Sequence, residues 1–269
     1  MPRLERPDGV EIHWEEEGEG PLVVLSGYWS LHPSVFAPIT DELRGDHRVV
    51  RYDDRGTGGS THAGPYDLET ASSDLEAVVE AAGGPAVLIG TADGVQRAVK
   101  VGANRPDLVE AVVGIGVPMG RQAFAGADAL ASSDSVVEAL LEMADTDYRS
   151  ALRTIVTSTN PQMSEDELRE RVRAQAEHVP PEAGAARLRT WAQSDATEEG
   201  RAMAERLWIL HSPRLGGGWF PSGPELVKAI TGILPDAHVE EVDDGIVSRP
   251  DATAAIVRRI TARARTPAS

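Results

Sequence analysis

The stretch from Ala86 to Gln96, AVLIGTADGVQ, holds the residue types and spacing most able to do chemistry. A β-branched apolar run, Ala86 to Ile89, enters Gly90-Thr91-Ala92-Asp93-Gly94, and helical spacing follows from Val95. Strand, small-x-apex-x-small turn and helix together describe a nucleophile elbow. Its two glycines admit a strained turn that lifts the apex side chain above a sheet. Acyl transfer at such a turn runs through Ser, Cys or Asp. The apex here is Ala92, whose methyl group neither attacks a carbonyl nor gives up a proton.

An elbow needs a sheet beneath it and helices around it. Residues 10–14 alternate, and 21–26, 47–53, 86–90, 110–116, 206–211 and 238–242 read as strands, most of them continuously apolar. Residues 35–44, 68–82, 95–103, 224–233 and 250–264 carry helical spacing between them. This alternation predicts an α/β domain: a mostly parallel, doubly wound sheet covered on both faces. It stops between about 119 and 200, where only helical patterns appear: 136–144, 148–156, 168–177 and 185–191. Ser164 to Glu167 forms a capping box ahead of the third of these. The expectation is a core made of 1–118 and 201–269, with a helical lid inserted at 119–200.

Composition narrows the function classes. The formal charge of −17, from 43 acidic and 26 basic residues, disfavours a phosphate-backbone partner and gives no sign of an anionic membrane surface. With no cysteine, disulfides, thiolate catalysis and zinc–thiolate sites are excluded. No run approaches the ~18 apolar residues that span a bilayer. The first residues are polar and lack the apolar segment of a signal peptide, which makes a cytoplasmic location the expectation. No dinucleotide or nucleotide motif and no metal-ligand spacing stands out, so neither cofactor nor metal is expected. The oligomeric state is not legible.

Three motifs give the chain a family likeness. PLVVLSGYW (21–29) looks like a strand followed by His-Gly-x, with Ser26 in place of the His. YDDRGTGGS (52–60) matches Tyr-Asp-x-Arg-Gly-x-Gly-x-Ser, and the elbow is followed by Asn104-Arg105-Pro106-Asp107-Leu108-Val109. From about residue 8 to 264 the chain resembles the α/β-hydrolase fold superfamily. That resemblance implies a triad in the order nucleophile, acid, His. Carried over position by position, the nucleophile falls on Ala92, the acid near Leu215 and the His on Ile246. All three roles are vacant. The resemblance also implies two backbone N–H donors around the apex, those of Tyr28 and Asp93, able to stabilise an oxyanion. Arg55 in the Arg-Gly-Thr-Gly turn is implied to be structural.

Among the remaining candidates, Asp93 reads either as a general base or as a helix cap. His32 reads as a proton-transfer group or as a plain loop histidine. Gly27 and Trp29 rim the same loop, and Thr91 lines the pocket or serves only the turn. Arg121 can meet a carboxylate or carbonyl. Trp219 is an aromatic anchor after the glycine run 216–218, and Asp244 faces the pocket or closes an acidic turn. His211 reads as a structural core residue, while His13, His62 and His178 have no constellation in sequence. The leading expectation is a cofactor-free, non-hydrolytic enzyme (cyclase, lyase or isomerase) acting on a small, largely apolar organic ligand. A catalytically silent binder and an esterase captured as a Ser-to-Ala nucleophile mutant stand as alternatives.

Overall fold

Every residue of LVVLS at 22–26, AVLIGT at 86–91 and LWILH at 207–211 is buried, as expected of parallel strands covered on both faces. The computed structural model describes residues 3–27, 32–115, 134–160, 163–211, 223–242 and 249–264. Its strands are β1 (Arg3–Glu5), β2 (Glu11–Glu17), β3 (Leu22–Ser26), β4 (Arg48–Tyr52), β5 (Ala86–Thr91), β6 (Val109–Ile115), β7 (Leu207–His211) and β8 (His238–Glu241). They form one sheet in the order β1-β2-β4-β3-β5-β6-β7-β8. Only the β1–β2 and β2–β4 pairings are antiparallel; β4-β3-β5-β6-β7-β8 run parallel.

The order places the functional ends. From β3 the chain crosses to β4 on one side, and β5 then lies on the other side of β3. Winding reverses there, and the carboxyl ends of β3 and β5 flank the crevice where open α/β sheets bind ligands.

Helices cover both faces. Around β3 and β5 these are α1 (Ala37–Leu43), α2 (Leu68–Ala81) and α3 (Asp93–Asn104); α9 (Gly223–Ile233) follows β7, and α10 (Pro250–Ala264) follows β8 and packs on α1. Leu75, Val78, Val95, Val99, Leu226 and Ile230 pack on one face, where Val24, Leu88 and Val112 meet them. Phe36, Ile39, Leu43, Ala254 and Val257 pack on the other, against Val23, Ile89 and Val113. Asp67 caps α2 by accepting the Thr70 N–H at 2.7 Å.

Between β6 and β7 the described residues form α4 (Asp134–Thr146), α5 (Tyr148–Thr159), α6 (Glu165–His178), α7 (Pro181–Gln193) and α8 (Thr197–Met203). The Ser164–Glu167 capping box opens α6, both of its reciprocal bonds being made. Tyr148, Leu152, Leu168, Val172 and Leu188 give α4 to α7 an apolar cluster of their own. In contrast, α8 packs on α3, and Ala196 and Met203 join the main core. Two elements escape sequence reading, β1 and α8. Each is too short to show periodicity, and tertiary packing holds it.

Candidate functional site

Ala92 stands between β5 and α3 with φ 47° and ψ −117°. Among the described residues only Ala204 shares a positive φ without being glycine. Such a backbone costs ~1–3 kcal/mol and survives only where its surroundings impose it. The flanking glycines show what imposes it. A Cβ on Gly90 would lie 2.7 Å from the Val95 nitrogen, and one on Gly94 would lie 2.2 Å from the Ser26 carbonyl oxygen. β5, the first turn of α3 and the end of β3 therefore touch backbone to backbone.

Side chains beside the apex form a buried ionic cluster. The Arg97 guanidinium, 1% exposed, donates to Asp54 at 2.5 Å, lies 3.5 Å from Asp93 and donates to the Gly27 carbonyl oxygen. Arg187, reaching over from α7, donates to the other Asp54 oxygen at 2.5 Å and lies 3.8 Å from Asp93. Burial works against the Asp54 carboxylate, but the Arg187 and Arg97 charges overcome it and hold its pKa down at about 2. Arg97 itself is desolvated, yet Asp54 and Asp93 keep it firmly protonated. Behind the cluster the Tyr52 and Ser26 hydroxyls lie 3.2 Å apart, and burial raises the Tyr52 pKa.

A second group gathers one residue earlier, around Asp53. That carboxylate accepts the Gly59 N–H at 2.9 Å, lies 3.0 Å from His13 Nδ1 and 3.4 Å from His178 Nε2. The His178 ring is tilted 59° to that of His32, with centroids 4.6 Å apart. His62 meets the Gly58 carbonyl at 3.2 Å. Four of the seven histidines thus gather in or beside the loop 53–62, His62 within it and His32 through its contact with His178. This corrects the expectation that His13, His62 and His178 lack a constellation: strand, loop and helix end meet only in the fold.

The expected site residues divide accordingly. Asp93 is buried at the helix start and engaged by two guanidiniums. His32 caps the turn Pro33–Phe36, its Nδ1 accepting the Ser34 N–H at 3.1 Å, which leaves Nε2 to carry the proton in the neutral ring. Gly27 supplies the carbonyl held by Arg97. Among the described residues, Thr91 is buried with no partner for its hydroxyl. Among the described residues the Gln96 amide, 1% exposed, lacks partners for both of its polar atoms, and Arg97 Nε and His211 Nδ1 are also unmet. His211 is buried as a core residue, and burial lowers its pKa. Tyr28, Trp29, Arg121, Leu215, Trp219, Asp244 and Ile246 lie outside the described residues. Arg55 is buried and clamps Asp74 bidentately, as expected of a structural role.

Sequence reading missed Asp54, Arg97 and Arg187. The i,i+4 spacing of Asp93 and Arg97 on a helix was a usable signal. Nothing local marks Arg187, which lies 133 residues from Asp54. Among the described residues no His, Asp or Glu group has the geometry of a metal site, and no helix is long and apolar enough to cross a membrane.

No protein-family model matches the chain. Over 108 residues it is 29% identical to the 2-(acetamidomethylene)succinate hydrolase of Mesorhizobium japonicum, covering 39% of each protein. Over 97 residues it is 34% identical to the pimeloyl-acyl-carrier-protein methyl ester esterase of Xylella fastidiosa, covering 36% of this chain and 37% of the esterase. These matches span less than two fifths of the curated relatives. In three dimensions the crystal structure of E-2-(acetamidomethylene)succinate hydrolase superposes with a TM-score of 0.71 at 21% identity, over 97% of this chain and 98% of that one. The fold is the α/β-hydrolase fold. The proteins it resembles in sequence are hydrolases and esterases.

Proposed function

We propose that this chain binds a small organic ligand over the elbow and transforms it without an acyl-serine and without a cofactor, as a cyclase, lyase or isomerase. The observation that carries the reading is Ala92, where a strained backbone is kept beneath a side chain with no chemistry. The Tyr28 and Asp93 N–H groups are the proposed oxyanion donors, a role that needs no nucleophile. Asp93 and His32 are the proposed proton-transfer groups, and α4 to α7 the proposed cap. The unmet polar atoms of Thr91, Gln96 and Arg97 favour a ligand that pairs an apolar body with a carbonyl or amide, because buried polar groups without partners cost ~1–3 kcal/mol each.

A second reading, a catalytically silent binder, is favoured by Asp93 itself. Its carboxylate is engaged by Arg97 and Arg187 and must leave them to accept a proton. The hydrolase and esterase names of the relatives favour a third, an ester-cleaving enzyme whose nucleophile has become alanine. One experiment separates the three. The protein is incubated with a fractionated mixture of small organic metabolites, and consumed and formed masses are followed by mass spectrometry. Isomeric or eliminated products support the first reading. Retention of an unchanged compound supports the second, and a product that has gained water overturns both.

A further inference from the structure

We propose that Arg187 of α7 is the residue that grips the ligand, and that it selects an uncharged carbonyl or carboxamide oxygen over a carboxylate. The inference deepens the reading of a small-ligand crevice over the elbow and rests on it. Arg187 is buried, with 6% of its side chain exposed. Its Nη2 alone is engaged by the protein, donating to Asp54 at 2.5 Å and lying 3.8 Å from Asp93, the residue after the apex. Among the described residues the N–H groups of Nε and Nη1 have no acceptor. Unlike Arg97 Nε, which is sealed in the interior, they keep contact with solvent. A guanidinium already fixed by one nitrogen and open at the others loses little further freedom when an oxygen enters beside it.

Charge sets the class of that oxygen. Arg97 and Arg187 each face both Asp54 and Asp93, at 2.5 and 3.5 Å for Arg97 and at 2.5 and 3.8 Å for Arg187. Two positive and two negative charges cancel. Arg55 and Lys100 do not alter the balance, being paired with Asp8 and Asp74 and with Glu69 and Glu199. A carboxylate brought to Nε or Nη1 would add a third negative charge to this buried group. It would also give up its hydration to reach a cation that is already neutralised. An amide or ketone oxygen accepts the same N–H bonds with a smaller loss of hydration and no net charge to be repelled.

Asp54 is then a positioning residue. From the loop after β4 it anchors one nitrogen of Arg187, and its charge turns an anionic ligand away. The backbone hydrogen bonds of α7 and the bond from Thr190 Oγ1 to the Tyr66 carbonyl, 3.0 Å long, hold the helix that carries Arg187 against the core.

The test titrates benzamide and benzoate, flat ligands of one shape that differ in charge, into the full chain at pH 7.5, read by ligand-observed NMR. About 0.15 M salt screens the surface charge of the protein. Benzamide should bind about tenfold or more tightly than benzoate. Arg187→Met should weaken benzamide by about fivefold or more. Asp54→Asn keeps an acceptor for Arg187 and leaves the cluster with a net positive charge. It should raise benzoate affinity by about fivefold or more while benzamide stays within about twofold. Four results each overturn the assignment: benzoate binding as tightly as benzamide in the wild type, no benzamide binding at about 20 mM, unchanged benzamide affinity in folded Arg187→Met, or unmoved benzoate affinity in folded Asp54→Asn. Should either variant fail to fold, the wild-type pair decides. Binding is read without turnover, so a chain that converts nothing in the mass-spectrometric assay still passes here, and that assay alone decides the transformation. Ala92→Leu narrows the space above the apex; benzamide that binds it unchanged, yet is lost in Arg187→Met, upholds Arg187 and fails the reading of a site over the elbow.

Discussion

The elbow and the loop after β4 lie at the same edge of the sheet and are made by opposite means. At the elbow, Gly90 to Gly94 supply two glycines and a strained alanine, and Ser26 at the end of β3 closes against them. At Asp53-Asp54 the Gly59 N–H is a local partner, but the charged groups are not local. Arg97 comes from 43 residues away and Arg187 from 133, while His13 and His178 arrive from a strand and a helix end. The difference teaches that a turn is written locally while its charged surroundings are assembled by the fold. The turn that a hydrolase uses is kept as backbone, while the charged groups around it form a neutralised network of two guanidiniums and two carboxylates.

The largest expected effect attacks the network. Arg97→Met should cost about 3–5 kcal/mol in urea unfolding, because Asp54 is then left buried with one counterion and the Gly27 carbonyl loses its donor. A loss below ~1 kcal/mol would mean that the cluster is loosely solvated and the contrast with the elbow fails. The same network sets an acid limit. Asp54 is lowered from 3.8 to about 2, so its contribution is full above pH ~4 and is lost as pH falls from 3.8 through about 2. Acid unfolding of Asp54→Asn should lack that part of the transition.

Next in size is the backbone of the elbow. Gly94→Ala drives a methyl group to within 2.2 Å of the Ser26 carbonyl and should destabilise by about 1–3 kcal/mol, read by thermal or urea unfolding. A neutral result would show that β3 and α3 are free to part. Smaller, and opposite in sign, Ala92→Gly should raise stability by up to ~1 kcal/mol, since glycine adopts φ 47° without a Cβ clash. Destabilisation would mean that the methyl packing outweighs the strain.

The smallest expected effect is kinetic. Ala92→Ser should leave p-nitrophenyl acetate hydrolysis within about twofold of the wild type, because a serine without a general base is a weak nucleophile. A gain of roughly a thousandfold would reveal a base positioned at the apex and would make this a hydrolase lacking only its nucleophile.

What the sequence by itself determined is the part of the molecule written in local pattern. Continuous apolar runs marked β3, β5 and β7 as buried parallel strands, because a strand covered on both faces has no polar alternation to show. Gly90 and Gly94 marked the turn, because only glycine tolerates backbone contact at under 3 Å. The vacancy at Ala92 was equally legible, being the identity of one residue in a recognisable frame. Tertiary structure alone decided what surrounds it. A salt bridge across 133 residues leaves no periodicity, and a histidine becomes part of a cluster only when a helix end settles on a loop. The two guanidiniums decided the rest: burial alone would push the Asp54 pKa up, whereas packed between Arg97 and Arg187 the carboxylate remains ionised down to about pH 2.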